Sequence, residues 1–228
     1  MRTAAILPVK HFALAKQRLG ESVSESLRED LARAMVCDVL DALHDTPAVE
    51  QTIVVTGEQS VALLAEQQGA IVLSDTANDG QSAAVMLGIE RALALGIGRA
   101  LCVPGDCPAL DPGELEELLL TPQSSHPEVV IVPDRHGTGT NGLLLTPPGV
   151  IAPSFGADSC ERHRMLAFSA GITCRVERPS SLLLDIDTGE DLAALRARLS
   201  GELVRAPRTR AALGLPVRKQ ALPTTAPA

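Results

Sequence analysis

Short apolar runs alternate with longer stretches in which apolar residues recur every three or four positions, from the start of the chain to about residue 200. The runs Ala4–Val9, Gln51–Thr56, Ala70–Leu73, Ala100–Pro104, Val129–Pro133, Gly142–Thr146, Thr173–Val176 and Leu182–Ile186 predict strands. Between Ser24 and Leu43, the residues Leu27, Leu31, Met35, Val39 and Leu43 fall at helical spacing. Glu58–Gln68, Gln81–Leu95, Pro112–Leu120, Ser159–Ser169 and Thr188–Leu199 predict further helices. Gly96 supplies a stop signal, and Asp111 before Pro112 supplies an N-cap with proline in the first turn.

Alternation of this kind predicts an α/β fold, with a mainly parallel sheet and helices on both faces. Ligands of such sheets bind at the carboxyl ends of the strands. The segment from Gly142 to Val176 breaks the alternation and predicts a small antiparallel insertion forming one wall of a pocket. Beyond Ser200 the sequence turns to Pro, Ala, Thr and Arg. The expected organisation is therefore one domain over 1–200 and a flexible basic tail over 201–228.

Composition narrows the class. With 228 residues, 45% of them hydrophobic, the chain can bury a good-sized core. It has no apolar run long enough to span a bilayer. The opening stretch Met1–Val9 is too short for a signal peptide before Lys10 interrupts it, so a cytoplasmic enzyme is expected. Five cysteines (Cys37, Cys102, Cys107, Cys160, Cys174) lack Cys-x-x-Cys spacing and predict neither a zinc site nor a disulfide framework. The net charge of −8 is uneven, because Arg205, Arg208, Arg210, Arg218 and Lys219 lie in a final stretch with no acid. So acidic a body argues against general nucleic-acid binding. Three phenylalanines are the whole aromatic complement, which disfavours base stacking.

The chemistry concentrates in acidic sites that follow apolar runs. In a strand, residues two apart point to the same side, so Asp185 and Asp187 can converge. If the sheet brings Asp106, from Val103-Pro104-Gly105-Asp106, beside them, three carboxylates share a site. Such a group repels itself unless a cation intervenes, and its hard oxygens suit Mg²⁺ shared with substrate phosphates. Asp106 alone could equally cap a helix.

Lys10, Lys16 and Arg18 follow the first strand and can neutralise a triphosphate, although an ordinary solvated basic loop has the same spacing. No Gly-x-x-x-x-Gly-Lys-Ser/Thr or Gly-x-Gly-x-x-Gly sequence occurs, which disfavours P-loop NTPases and typical dinucleotide dehydrogenases. In Asn78-Asp79-Gly80-Gln81-Ser82, the polar residues can either cap a helix or hydrogen-bond a base or ribose. Pro133 to Gly142 alternates glycine with threonine and predicts a mobile, donor-rich loop for an anion. Ser154-Phe155-Gly156-Ala157-Asp158-Ser159 leads into a helix carrying Arg162, His163 and Arg164, again an anion-binding arrangement. No nucleophile–histidine–acid triad is visible.

These blocks, in this order, resemble the CofC/FbiD family of guanylyltransferases of coenzyme F-420 biosynthesis. The resemblance rests on Pro8-Val9-Lys10 with Ala15-Lys16 and Arg18-Leu19, Pro104-Gly105-Asp106-Cys107-Pro108, and Pro133-Asp134 with Gly137 to Asn141. It continues through Ser154-Phe155-Gly156 with Ser159, Arg162 and His163, and ends at Asp185-Ile186-Asp187-Thr188, covering residues 3 to 199. It implies a nucleotide-diphospho-sugar-transferase-like, Rossmann-like fold. It also implies transfer of GMP from GTP to the phosphate of a three-carbon acid, with release of pyrophosphate.

By that resemblance Asp106, Asp185 and Asp187 hold Mg²⁺, and they act in catalysis with Lys16. Lys10, Lys16 and Arg18 face the triphosphate, and Gly80, Gln81 and Ser82 lie where relatives read the base. There Gln81-Ser82 replaces the family's usual Leu-Asn. Thr140, Asn141, Gly156, Ser159 and His163 contact the acid. The acid can be 3-phospho-D-glycerate, phosphoenolpyruvate or 2-phospho-L-lactate. The first is slightly favoured by Cys102, Cys107 and Cys160 around the expected pocket. A downstream transferase receiving the unstable product and a homodimer are further expectations. The rival expectations are another nucleotidyltransferase of the same fold, acting on a sugar phosphate or the molybdenum cofactor, and a silent nucleotide-binding subunit.

Overall fold

The computed structural model describes residues 1–12, 19, 23–76, 79–121, 127–201 and 205–216. The strands are β1 (Thr3–Val9), β2 (Gln51–Thr56), β3 (Ile71–Ser74), β4 (Arg99–Cys102), β5 (Glu128–Pro133), β6 (Thr140–Thr146) and β7 (Thr173–Val176). The helices are α1 (Glu25–His44), α2 (Gln59–Gln67), α3 (Gln81–Ala94), α4 (Pro112–Leu120), α5 (Ser159–Ser169), α6 (Gly189–Leu199) and α7 (Pro207–Ala212).

The strands form one sheet in the order β3-β2-β1-β4-β6-β5-β7. β1, β2, β3 and β4 pair in parallel, β5 pairs with β7 in parallel, and β6 runs antiparallel to both neighbours. The expected antiparallel insertion is thus one reversed strand. The reversal has a functional consequence, because it places the start of β6, not its end, beside the carboxyl ends of β1 and β4.

Alternation along the strands assigns the two faces. Ala5, Leu7 and Leu101 pack with Val36, Val39 and Leu40 of α1, Val61 of α2 and Leu115 of α4. Their neighbours Ala4, Ile6 and Cys102 pack with Val85 and Ile89 of α3 and Cys160 and Ala167 of α5. Each fully buried Leu or Ile contributes roughly 1.5–3 kcal/mol. Gly88 brings α3 close to β1, since a Cβ there would lie 2.4 Å from Ile6 Cγ2. That close seat carries the N-terminus of α3 to the carboxyl end of β1.

A third cluster corrects the view of the tail. Leu31 and Met35 of α1 pack with Leu192, Leu195 and Leu199 of α6 and with Ala206 and Leu213 around α7. Asp38 is buried and accepts hydrogen bonds from the N–H groups of Arg208 (3.1 Å) and Thr209 (2.8 Å). The carboxylate therefore caps α7 from another helix, satisfying donors at its N-terminus. Residues 205–216 are docked rather than part of a flexible tail; residues 217–228 lie outside the described residues.

The expected strand Leu182–Ile186 is also absent. Ser180–Leu182 form a 3₁₀ turn, and residues 183–187 follow without sheet pairing. The period of two survives, with Leu182, Leu184 and Ile186 buried and Asp185 and Asp187 half-buried between them.

Candidate active site

The strand order reverses between β1 and β4, the switch point where α/β sheets open a crevice. Lys10 follows β1 there, and Val103-Pro104-Gly105-Asp106 follows β4. A cavity of about 280 Å³ is lined by Pro8, Val9, Lys10, Asp75, Gly80, Gln81, Asp106 and Asp187, among others. A second, of about 610 Å³, is lined by Asp134, Thr138, Gly139, Thr140, Asn141, Gly156, Asp158, Ser159 and Asp185, among others. The two share Lys10, Gln81, Pro104, Asp106 and Asp187, so they are lobes of one crevice with a common seam.

Asp106, Asp185 and Asp187 all line the larger lobe. The Ile186 N–H donates to the Asp106 carbonyl at 3.1 Å, a bond that takes the place of strand pairing. Asn141 Nδ2 donates to the Leu182 carbonyl (3.0 Å) and to Asp185 Oδ1 (3.2 Å). Burial, then the charge of Asp106, pushes the Asp185 carboxyl up to about 6; the Asn141 bond opposes that rise and Asp187 adds to it. Asp191 holds the next turn, accepting from the N–H groups of Asp187 (3.2 Å) and Thr188 (2.7 Å) in a capping box with Thr188. Arg135 is engaged at the same place, 2.8 Å from Asp191, and does not line either lobe.

The crevice wall is acidic. Asp75, Asp106, Asp134, Asp158, Asp185 and Asp187 line it, whereas Lys10 is the one cation lining it among the described residues. Lys16 and Arg18 lie outside the described residues. No group of three or more His, Cys, Asp or Glu among the described residues is placed to hold a metal ion by itself. The donor set instead suits a hard cation whose remaining ligands come from a phosphorylated substrate, the usual manner of Mg²⁺. The Asp185 carboxyl is raised first by burial and then by the charge of Asp106, so a cation between the two would offset only the second cause.

The glycine–threonine loop is closed upon itself rather than loose. Asp134 accepts from the Thr138 N–H at 2.9 Å, and the Thr138 carbonyl accepts from the Cys160 N–H at 3.0 Å. The loop is thereby fixed to the start of α5. Ser159 lines the lobe and is 1% exposed, and its buried Oγ has no hydrogen-bond partner among the described residues. A buried, unsatisfied hydroxyl at a helix N-terminus is costly unless a ligand completes it. Gly156 turns the chain into this helix at φ +109°, a conformation that L side chains rarely adopt.

Five residues expected at or around the pocket line neither lobe. His163 is fully buried and lines neither lobe; its ring nitrogens meet Thr140 Oγ1 and the Ser154 N–H. Ser82 lines neither lobe, and its Oγ accepts from the Phe155 N–H at 2.9 Å, joining α3 to the Ser154–Gly156 segment. Cys102, Cys107 and Cys160 are buried and line neither lobe, which removes the feature that favoured 3-phospho-D-glycerate. By contrast Asp75, Asp134 and Asp158 line the crevice without having been singled out as site residues. Asp134 carries a readable signal, an Asx-type position before a glycine-rich turn.

The architecture, with its crevice at the switch point, is that of the nucleotide-diphospho-sugar-transferase-like class of α/β folds. Solved structures share the architecture: a protein described as a nucleotide-diphospho-sugar transferase, from Desulfovibrio desulfuricans, superposes with a TM-score of 0.74 at 18% identity, over 94% of this chain and 95% of that one. A CMP:2-keto-3-deoxy-manno-octonic acid synthetase complexed with CTP gives a TM-score of 0.58 at 14% identity, over 88% and 99%. At these identities the likeness concerns the fold.

The chain belongs to the CofC-like guanylyltransferase family, whose model, described as "Guanylyl transferase CofC like", matches residues 3–220. The match runs past the expected limit at 199 and includes α7. Among relatives, a phosphoenolpyruvate guanylyltransferase of Conexibacter woesei is 46% identical over 93% of this chain and 96% of its own length. A 3-phospho-D-glycerate guanylyltransferase of Phenylobacterium zucineum is 37% identical over 82% and 86%.

Proposed function

We propose that this enzyme transfers GMP from GTP to the phosphate of phosphoenolpyruvate or 3-phospho-D-glycerate, in coenzyme F-420 biosynthesis, in the cytoplasm. Phosphoenolpyruvate takes first place because the relative at 46% identity is a guanylyltransferase for that acid. This reverses the order expected from the cysteines. The observation that carries the reading is the two-lobed crevice with Lys10, Asp106 and Asp187 at its seam. The smaller lobe, below the N-terminus of α3, receives the nucleotide. The larger lobe, with Thr140 and Ser159, receives the acid.

The acid's phosphate oxygen attacks the α-phosphorus of GTP; the bond to the β-phosphate oxygen breaks, and pyrophosphate leaves with that electron pair. The attacking oxygen is already ionised at neutral pH, so no general base is needed. That agrees with a site whose buried histidine is engaged by protein groups. The residues act by positioning and by charge. Lys10 meets the phosphates at the seam. Ser159 Oγ and Thr140 Oγ1 donate to the acid. Asn141 holds Asp185, and Asp191 holds Asp187. Asp106, Asp185 and Asp187 would hold Mg²⁺, which when bound would neutralise charge on the phosphates. Two anionic substrates entering an acidic wall require that neutralisation. Lys16 and Arg18 add to it in this reading. The product, a guanosine diphosphate-linked acid, passes to a downstream transferase.

The test is pyrophosphate release with Mg²⁺, crossing GTP, ATP and CTP with phosphoenolpyruvate, 3-phospho-D-glycerate and 2-phospho-L-lactate, with a coupling transferase present. Turnover with GTP and one of the first two acids is the expected result. Turnover with another nucleotide, or with a sugar phosphate added as a control, would assign a different transferase. Silence from folded protein with active coupling enzyme would leave a nucleotide-binding subunit.

A further inference from the structure

We infer that His163 is a positioning residue: as an Nδ1–H imidazole it donates to Thr140 Oγ1, accepts from the Ser154 N–H, and so turns the Thr140 hydroxyl proton toward the anion in the larger lobe. The Ser154 N–H has no freedom of role. A backbone N–H can only donate, and Ser154 N lies 2.9 Å from His163 Nε2. Nε2 must therefore carry a lone pair. Burial first, then the nearby Arg162, hold the His163 pKa down to about 4, so the ring is neutral at physiological pH and its one proton sits on Nδ1.

Nδ1 lies 3.1 Å from Thr140 Oγ1, which therefore accepts. Among the described residues Thr140 Oγ1 hydrogen-bonds to His163 alone, so its own proton is unspent, and Thr140 lines the larger lobe. The opposite tautomer would reverse the polarity. Thr140 would donate to the ring and present oxygen lone pairs to an anionic ligand, a repulsive arrangement. The ring itself is fixed, being fully buried and edge-on to Phe155 with centroids 5.2 Å apart. Arg162 completes the support: its Nε donates to Ser154 Oγ (3.1 Å), and its Nη2 donates to the carbonyls of Ser154 and Phe155 (3.1 Å each). One histidine thus sets both the polarity of Thr140 and the path of the segment that leads to Gly156.

The inference rests on the proposed phospho-acid site for its consequence but not for its geometry, and the experiment separates the two. Long-range proton–nitrogen NMR of the ¹⁵N-histidine-labelled full chain at pH 7.5 reads the tautomer directly. The His163 signal is assigned by its loss in His163→Gln. If that variant does not fold, it is assigned by elimination, replacing His11, His44, His126 and His136. The expected pattern is a protonated Nδ1 and a lone-pair Nε2. An Nε2–H ring or an imidazolium would overturn the inference.

Kinetics supply the second arm. Thr140→Val and His163→Gln should each raise KM for the acid about tenfold while KM for GTP changes less than about twofold. The double variant should be no worse than the more affected single one, and His163→Asn, which can still donate toward Thr140, should recover part of the loss. Additive losses, or a change confined to GTP, would also overturn the inference. A wild-type enzyme inactive on the whole panel would defeat the functional reading instead, and the NMR result would still decide the tautomer.

Discussion

The backbone N–H of Ile186 donates to the carbonyl of Asp106 across 3.1 Å, tying together two acidic segments 80 residues apart in sequence. The bond fixes the residues on either side of Ile186, so Asp185 and Asp187 meet Asp106 at the same crevice. Asp106→Asn and Asp187→Asn should each lower turnover at least about a hundredfold, because charge stabilisation at the phosphates is the main catalytic contribution available. Thermal unfolding should change little. Near-normal rates in both variants would remove these carboxylates from the mechanism.

Asp185→Asn should have two opposed effects. The Asp185 carboxyl is pushed up to about 6 in the folded protein, above its ordinary value near 4. The folded state therefore holds the proton more tightly than the unfolded chain, and stability is lost as pH rises from about 4 through about 6. Asparagine cannot ionise, so the ligand-free variant should be more stable than the parent by about 1–2 kcal/mol at pH 8, after a discount for solvent screening, and about equal at pH 4. Turnover should fall at the same time. Denaturant midpoints at the two pH values check the first effect; equal gains at both would refute its electrostatic origin.

Ser82→Ala distinguishes a base contact from a support. Its Oγ accepts the Phe155 N–H at 2.9 Å, so removing it leaves a backbone donor unsatisfied in the segment that forms the acid lobe. KM for the acid should rise several-fold, with KM for GTP nearly unchanged. A rise confined to GTP would restore the role expected from the sequence position.

The docking of α7 should be measurable as stability. Asp38 accepts two N–H bonds at the start of that helix, and loss of a cap costs about 1–2 kcal/mol. Asp38→Ala should destabilise by roughly that amount, as should Leu213→Ala for the packing it removes from the third cluster. Activity per folded molecule should be retained. Unchanged unfolding midpoints in both variants would return residues 205–216 to the status of a tail.

Most of the element order was written in the sequence, all but the unpaired segment 182–186 and α7, because it depends on periodicity, which is a local property. Apolar runs and three-to-four spacing located the strands and helices, and the alternation of Leu182, Leu184 and Ile186 with Asp185 and Asp187 indicated that the two carboxylates share a side. The segment is not a strand, yet the alternation of buried and half-buried positions holds there and both aspartates line one lobe. The ordered blocks likewise revealed the family. What only the tertiary structure decided was partnership between distant residues. Reversal of β6 brings Thr140 and Asn141 to the crevice, packing withdraws His163 from it, a hydrogen bond diverts Ser82 to Phe155, and Asp38 holds a helix 170 residues away. Each depends on which polar groups meet once the core has closed. A buried donor must find an acceptor there, and no local pattern in the chain specifies which one.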